Sequence, residues 1–146
     1  DEPGRLLDAV RRNNIDNVVF ITGDIHSSWA CDIPNNAANF PAGGTVATEL
    51  VGTSVTSSNI DDILKVPEHT VGNAVPPAIM AANNHVRWND FDAHGYSVLT
   101  VTPAFAQMDW WFLNDKTDPR TGQYHARSFR VRDGVARVTP VASPIT

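Results

Sequence analysis

The chain has 146 residues, enough for one domain that buries roughly 68–70% of its unfolded surface, and a composition of 42% hydrophobic and 18% charged residues excludes a disordered chain. A net charge of −5, from 16 acidic against 11 basic residues, excludes a nucleic-acid scaffold, which needs a clustered basic face. Cys31 is the only cysteine, so no internal disulfide forms, and no apolar run is long enough to span a bilayer. The low charged fraction points to a secreted, periplasmic or cell-envelope location. The opening Asp1-Glu2-Pro3-Gly4 lacks the basic and apolar regions of a signal peptide and reads as a cut inside a longer chain.

In chain order, Pro3 sits where a first helical turn tolerates it, and Leu6, Leu7 and Val10 form an apolar stripe that stops at Asn13-Asn14. Val18-Val19-Phe20-Ile21 is a continuous β-branched run, the pattern of a buried strand inside a covered sheet. Helix, short turn and buried strand make one step of a layered α/β fold. Trp29 to Ile33 and Val46 to Val51 read as further strands, separated by a loop from Pro34 to Gly44. Ser58 or Asn59 caps a helix from Ile60 to about Val66. Pro67, Pro76 and Pro77 interrupt the segment beyond that helix, leaving a short helix over Ala78–Asn83. From His85 onward five strands are expected: 86–91, 96–101, 105–113, 124–131 and 135–138. The last two are joined by a tight Asp133-Gly134 hairpin.

Chemistry concentrates in Gly23-Asp24-Ile25-His26-Ser27-Ser28-Trp29, just past the end of the first strand, where α/β sheets gather their ligands. In extended backbone, residues two apart face the same side, so the Asp24 carboxylate and the His26 imidazole address one cation or two neighbouring ones. Ser27 and Ser28 are placed to orient them. Two ligands do not complete a catalytic metal site, which takes three or more protein groups and an open position.

The segment Asn17 to Ala30 resembles the last metal-binding motif of PhoD-type alkaline phosphatases. Further blocks agree in order: Ala47 to Ser58, Asn83-Asn84-His85-Val86-Arg87, His94-Gly95-Tyr96, and Val101-Thr102-Pro103 with Asp109-Trp110 after it. The resemblance covers the chain from near Asp1 to about Val138 and matches the C-terminal third or so of a family member. It implies an α/β fold of the α+β type, a four-layer αββα sandwich like that of calcineurin-like metallophosphoesterases, with residues 1–146 as its C-terminal part. It also implies metal-dependent hydrolysis of phosphomonoesters or phosphodiesters. Ferric ion and calcium are the implied cofactors, with manganese or zinc as alternatives; Asp24 falls on the calcium side and His26 on the ferric side. The remaining ligands lie upstream, so the N-terminal portion of the same protein is an expected partner, as a second chain if the enzyme is nicked. Cys31 does not match the family's metal-binding cysteine and is read as a buried small hydrophobe.

The family usually shows Asn-Pro-His where Asn83-Asn84-His85 stands, and arginine in place of His94. His85 and His94 are therefore weighed as substrate-binding residues against scaffold roles. Asp90 and Asp92 are expected to form a turn-side pair facing water, and His69 and His125 to lie on the surface. Trp110 and Trp111 must face opposite sides of their strand, the second side packing on a helix. A phospholipase D acting on phosphatidylcholine-type lipids on the same scaffold is the alternative activity. A non-catalytic β-rich structural or docking module is the alternative of another class.

Overall fold

The structure, a computed structural model, describes residues 2–145, apart from the side chains of residues 2, 3 and 73. Helix α1 spans Glu2–Arg12. It stops where the Asn13 side-chain amide donates to the Ala9 carbonyl at 2.8 Å and Asn14 turns left-handed at φ +49. Val10 is buried but Leu6 is 52% exposed, so the stripe is only partly covered.

Strands β1 (Val19–Thr22), β2 (Ser28–Pro34), β3 (Thr45–Val51) and β4 (Val86–Asp90) form one mixed sheet in the order β1-β3-β2-β4. β1 pairs with β3 in parallel, and β2 runs antiparallel to both β3 and β4. β5 (Gly95–Val101), β6 (Phe105–Leu113), β7 (Gln123–Arg132) and β8 (Val138–Val141) form an antiparallel meander in chain order. Fold class is thus mixed α/β with two sheets, as the resemblance implies. β1 corrects one expectation. It is an edge strand, with Ile21 49% exposed, because nothing among the described residues pairs its free side.

The two sheets pack around a core that joins Ala30 and Leu50 of the first to Met108, Trp110, Phe112, Phe129 and Val131 of the second. Trp110 is fully buried, meets Trp88 edge-on at 5.1 Å, and donates from Nε1 to the Val51 carbonyl at 2.9 Å. That bond satisfies the one polar atom which would otherwise make so deep an indole costly. A second polar tie crosses from sheet to sheet: Asp32 Oδ1 accepts the Val138 amide at 2.9 Å. Burial pushes the Asp32 carboxyl above its ordinary range, while the Val138 N–H and the Arg87 charge pull the other way.

Trp111 does point to the other side of β6, but its neighbour there is the His125 ring at 5.5 Å rather than a helix. On that side Gln107, Asp109 and Ser128 are completely buried. Asp109 accepts from Gln107 Nε2, from Ser128 Oγ and from the Ile145 amide, and Gln107 also donates to the Ser143 carbonyl, so residues 143–145 lie over this face. Arg130 forks both Nε and Nη2 onto Gln107 Oε1 and stacks 4.0 Å over the Phe105 ring. His125, expected on the surface, is half-buried and reaches Ser128 Oγ at 2.7 Å.

Helix α2 (Ile60–Leu64) starts at Asn59 with a capping box to Asp62, as the sequence suggests. α3 departs from the sequence pattern. It runs Thr70–Ala82 straight through Pro76 and Pro77. The prolines remove two intrahelical donors. The helix persists because it packs on β4 and because its first turn is capped from outside, Val71 N–H donating to Asp61 Oδ1 at 3.1 Å. The last hairpin is also longer than its Asp-Gly suggests: β8 starts at Val138, not Val135. Asn17 Oδ1 takes the Gly134 amide and Asp32 takes that of Val138, so tertiary hydrogen bonds set the register. None of the helices among the described residues is long and apolar enough to cross a membrane.

Trp110→Ala is expected to lower the unfolding free energy by roughly 3–5 kcal/mol. Trp110→Phe should cost less, since it keeps one six-membered ring in the core and loses the rest of the indole with its bond to Val51. Urea denaturation monitored by circular dichroism checks both.

Candidate functional site

Parallel pairing of β1 with β3 puts the C-terminal ends of both strands at one end of the first sheet, where the Gly52 amide bonds the Thr22 carbonyl at 3.0 Å. The loops that leave these ends, 23–27 and 52–59, run side by side. Asp24 and His26 occupy the first of them. Its backbone is not extended as the sequence pattern implies: Asp24 has φ +74 and His26 has φ +53. Left-handed backbone at a side chain other than glycine costs on the order of 1–2 kcal/mol, and two such residues in one tight turn mark a segment shaped by something other than stability.

Asp24 is exposed, its carboxylate open to solvent. His26 is half-buried, and its Nδ1 lies 2.8 Å from the Ser58 carbonyl oxygen. A carbonyl only accepts, so Nδ1 carries the proton. The lone pair of the neutral ring is then on Nε2, at the far side of the imidazole. Orientation of a ligating histidine by a carbonyl behind it is the arrangement metal sites use. Ser27 and Ser28, expected in the orienting role, do not fill it. Ser27 Oγ accepts from Trp29 Nε1 at 2.7 Å and leans back on the Ile25 carbonyl, shaping the loop, while Ser28 Oγ is buried without a partner. The group that orients His26 is a backbone carbonyl, which leaves no trace in the residue type. Only the polar run Thr53–Asn59 hints that this loop does more than connect.

Ser57–Asn59 is held firmly. Ser54 Oγ donates to the Ser57 carbonyl at 2.9 Å, and Thr53 Oγ1 donates to the Ala93 carbonyl at 3.0 Å. Asn59 caps α2 and also donates from Nδ2 to the Asp92 carbonyl. His94, only 8% exposed, spends both nitrogens here: Nε2 meets the Ser57 carbonyl at 3.0 Å and Nδ1 faces the Asn59 amide at 3.5 Å. Asp62 stands beside it, its carboxyl held below the usual range first by the Lys116 ammonium and then by the Asn59 amide. His85 lies elsewhere, with its ring edge-on to Phe40 at 6.4 Å. It lines a groove of about 370 Å3 with Trp29, Cys31 and Glu49. His26 lines a different recess, of about 230 Å3, with Ile25, Ile60, Ile63 and Phe91. The fold therefore brings His94 to the segment that orients His26, and sets His85 in a neighbouring groove that Thr22, Gly23 and Ile25 also line, next to Asp24. Asp92, expected in water, is buried against α3, and Asp90 Oδ1 takes the Asp92 and Ala93 amides in a local turn. Cys31 is buried, its thiol pushed up to about 12 by burial and by Glu49 and Asp32.

Comparison with known proteins adds to this geometry. The PhoD-like phosphatase family pattern matches residues 1–110. The chain belongs to that family. Alkaline phosphatase D of Bacillus subtilis (strain 168) is 29% identical over 116 residues, which is 79% of this chain and 18% of that protein. A solved structure of PhoD superposes on 97% of this chain with a TM-score of 0.76 and 25% identity, and this chain covers 25% of it. The PhoD-like chain thus spans about a quarter or less of the relatives it matches. Among its described residues no three histidine, cysteine or acidic side chains converge as a metal site. Asp24 offers a hard oxygen open to solvent and His26 an imidazole nitrogen freed at Nε2, donor types that suit a metal.

Strain at Asp24 is testable. Asp24→Gly is expected to raise the stability of the metal-free protein by up to about 1 kcal/mol, because glycine adopts φ +74 without a Cβ clash. Asp24→Val should lower it. Thermal unfolding of the two variants against the parent reads the difference.

Proposed function

We propose that this chain is the C-terminal part of a metallophosphoesterase catalytic domain, and that it supplies Asp24 and His26 to a metal centre that hydrolyses phosphate esters. Membership of the PhoD-like phosphatase family supports the reaction class. The observation that carries the site is the left-handed turn at Asp24 and His26, with the Ser58 carbonyl fixing the His26 tautomer. The resemblance favours ferric ion at His26 and calcium at Asp24, with manganese or zinc as alternatives. When bound, such ions provide Lewis acidity toward a phosphate oxygen. Asp24 brings negative charge and a hard donor; His26, held by Ser58, presents Nε2 without a search over ring orientations, which lowers the entropy lost on binding.

Two features support an upstream portion as partner. The chain covers 18% and 25% of its relatives, and its first sheet ends in β1, an apolar strand with a free edge. The 18% charged fraction supports a secreted or envelope location. His94 takes a scaffold role, since both its nitrogens are engaged; His85 keeps the substrate-binding reading, since its groove is also lined by Gly23 and Ile25, the neighbours of Asp24.

In the full-length protein, His26→Ala is expected to lower kcat/KM on the order of 100-fold, about 2.7 kcal/mol of transition-state stabilisation, with loss of bound metal. Full activity and full metal content in that variant would refute the assignment. The 146-residue chain alone is expected to turn over no nitrophenyl phosphate and to hold no metal tightly; metal analysis after gel filtration tests this. Parallel assays on a nitrophenyl monoester, a diester and phosphatidylcholine separate phosphatase from phospholipase D activity.

A further inference from the structure

Outside the proposed ligands, the most unusual group of side chains is a pair of buried carboxyls. Asp61 is 3% exposed and Asp92 6%. They meet consecutive residues in the first turn of α3, Asp61 Oδ1 taking Val71 N–H at 3.1 Å and the Asp92 carboxyl lying against Gly72. Asp92 sits so close to the helix backbone that a Cβ on residue 72 would overlap its carboxyl, and glycine stands there. The other two oxygens, Asp61 Oδ2 and Asp92 Oδ1, are buried with no partner, and the two carboxyls lie within hydrogen-bonding reach of each other. Two full negative charges in that position would repel strongly, and Asp90 adds to the repulsion.

Among the described residues, one basic side chain comes within ion-pair distance of the pair. His69 approaches Asp92 Oδ2 at 3.8 Å from an exposed position, with Glu68 next to it. Lys116 is engaged with Asp62, and His94 with Ser57; Tyr124 lines the same cavity. One proton between the carboxyls would give both unpartnered oxygens a bond and remove one charge.

We propose that Asp61 and Asp92 share a single proton, and that this proton is a latch which positions the Ser57–Asn59 segment and, through Ser58, the His26 ring. The mechanical link is short. Asn59 caps the helix that carries Asp61 and donates to the carbonyl of Asp92, while its neighbours Ser58 and Ser57 hold His26 and His94. The latch stands on the carboxyl geometry alone; the positioning role also rests on His26 as a metal ligand. Burial, with Asp61 and Asp90 adding to it, pushes Asp92 up to about 7 from the ordinary 3.8. A folded value above the exposed one means the latch is strongest below about pH 4, weakens as pH rises to about 7, and changes no further above it.

Hydrogen exchange of the Val71 and Gly72 amides in the full-length protein tests the latch. Their protection factors are expected to fall on the order of tenfold per pH unit between about pH 5 and 7, then level off. Asp92→Asn keeps the packing against Gly72 and offers a permanent N–H to Asp61, so protection should become independent of pH. Asp92→Ala should lose protection at every pH. A flat wild-type profile, or an Asp92→Asn profile that tracks the wild type, overturns the proposal. The ratio of nitrophenyl phosphate kcat/KM for Asp92→Asn to that of wild type should rise several-fold across the same window, and a constant ratio overturns the positioning role. Absence of hydrolysis at every pH would sink the metal-centre reading instead, and the exchange profiles would still decide the latch.

Discussion

The parallel pairing of β1 with β3, closed by the Gly52 amide on the Thr22 carbonyl, determines where chemistry can sit in this chain. Parallel strands end together, so the two loops that leave them share one rim of the sheet. One loop carries Asp24 and His26; the other carries the carbonyl that orients His26. An antiparallel pair would have sent the two loops to opposite ends, and the histidine ring would lack its support. The remainder of the fold serves that rim. The Trp88–Trp110 contact and the Asp32–Val138 bond keep the second sheet clamped on the first, and α2 and α3 brace the Ser57–Asn59 segment from outside.

Backbone strain and hydrogen bonding are divided unevenly. Left-handed backbone recurs within three residues at Asp24 and His26, while the adjoining 53–59 segment is tied down by side-chain bonds from Thr53, Ser54 and Asn59. A strained turn persists only when its surroundings over-determine it. Here the surroundings are a rigid loop, a capped helix and the buried indole of Trp110 reaching into the end of β3.

Much of the fold was legible in the sequence. Alternating apolar residues marked most of the strands, Asn59 announced its helix, and adjacent Trp110 and Trp111 had to face opposite ways. Failures came where tertiary contacts overrode local signals. Pro76 and Pro77 read as breakers, yet α3 runs through them because β4 and the Asp61 carboxyl cap hold it. Asp133-Gly134 read as a two-residue hairpin, yet Asn17 and Asp32, far away in sequence, take the amides that set its register. Asp92 read as a solvated turn residue, because nothing local shows that Gly72 makes room for it.

Sequence by itself determined the residue types at the rim, the order of helices and strands, and the family to which they belong. It placed Asp24 and His26 just past the first strand because strand length and glycine position are local properties. Only the tertiary structure decided which atom of His26 is free, which histidine is used up in the scaffold, and that two aspartates from distant segments face each other. Each of those depends on a backbone carbonyl, a buried neighbour or a pairing across tens of residues, and none of these leaves a mark on the residue it acts upon.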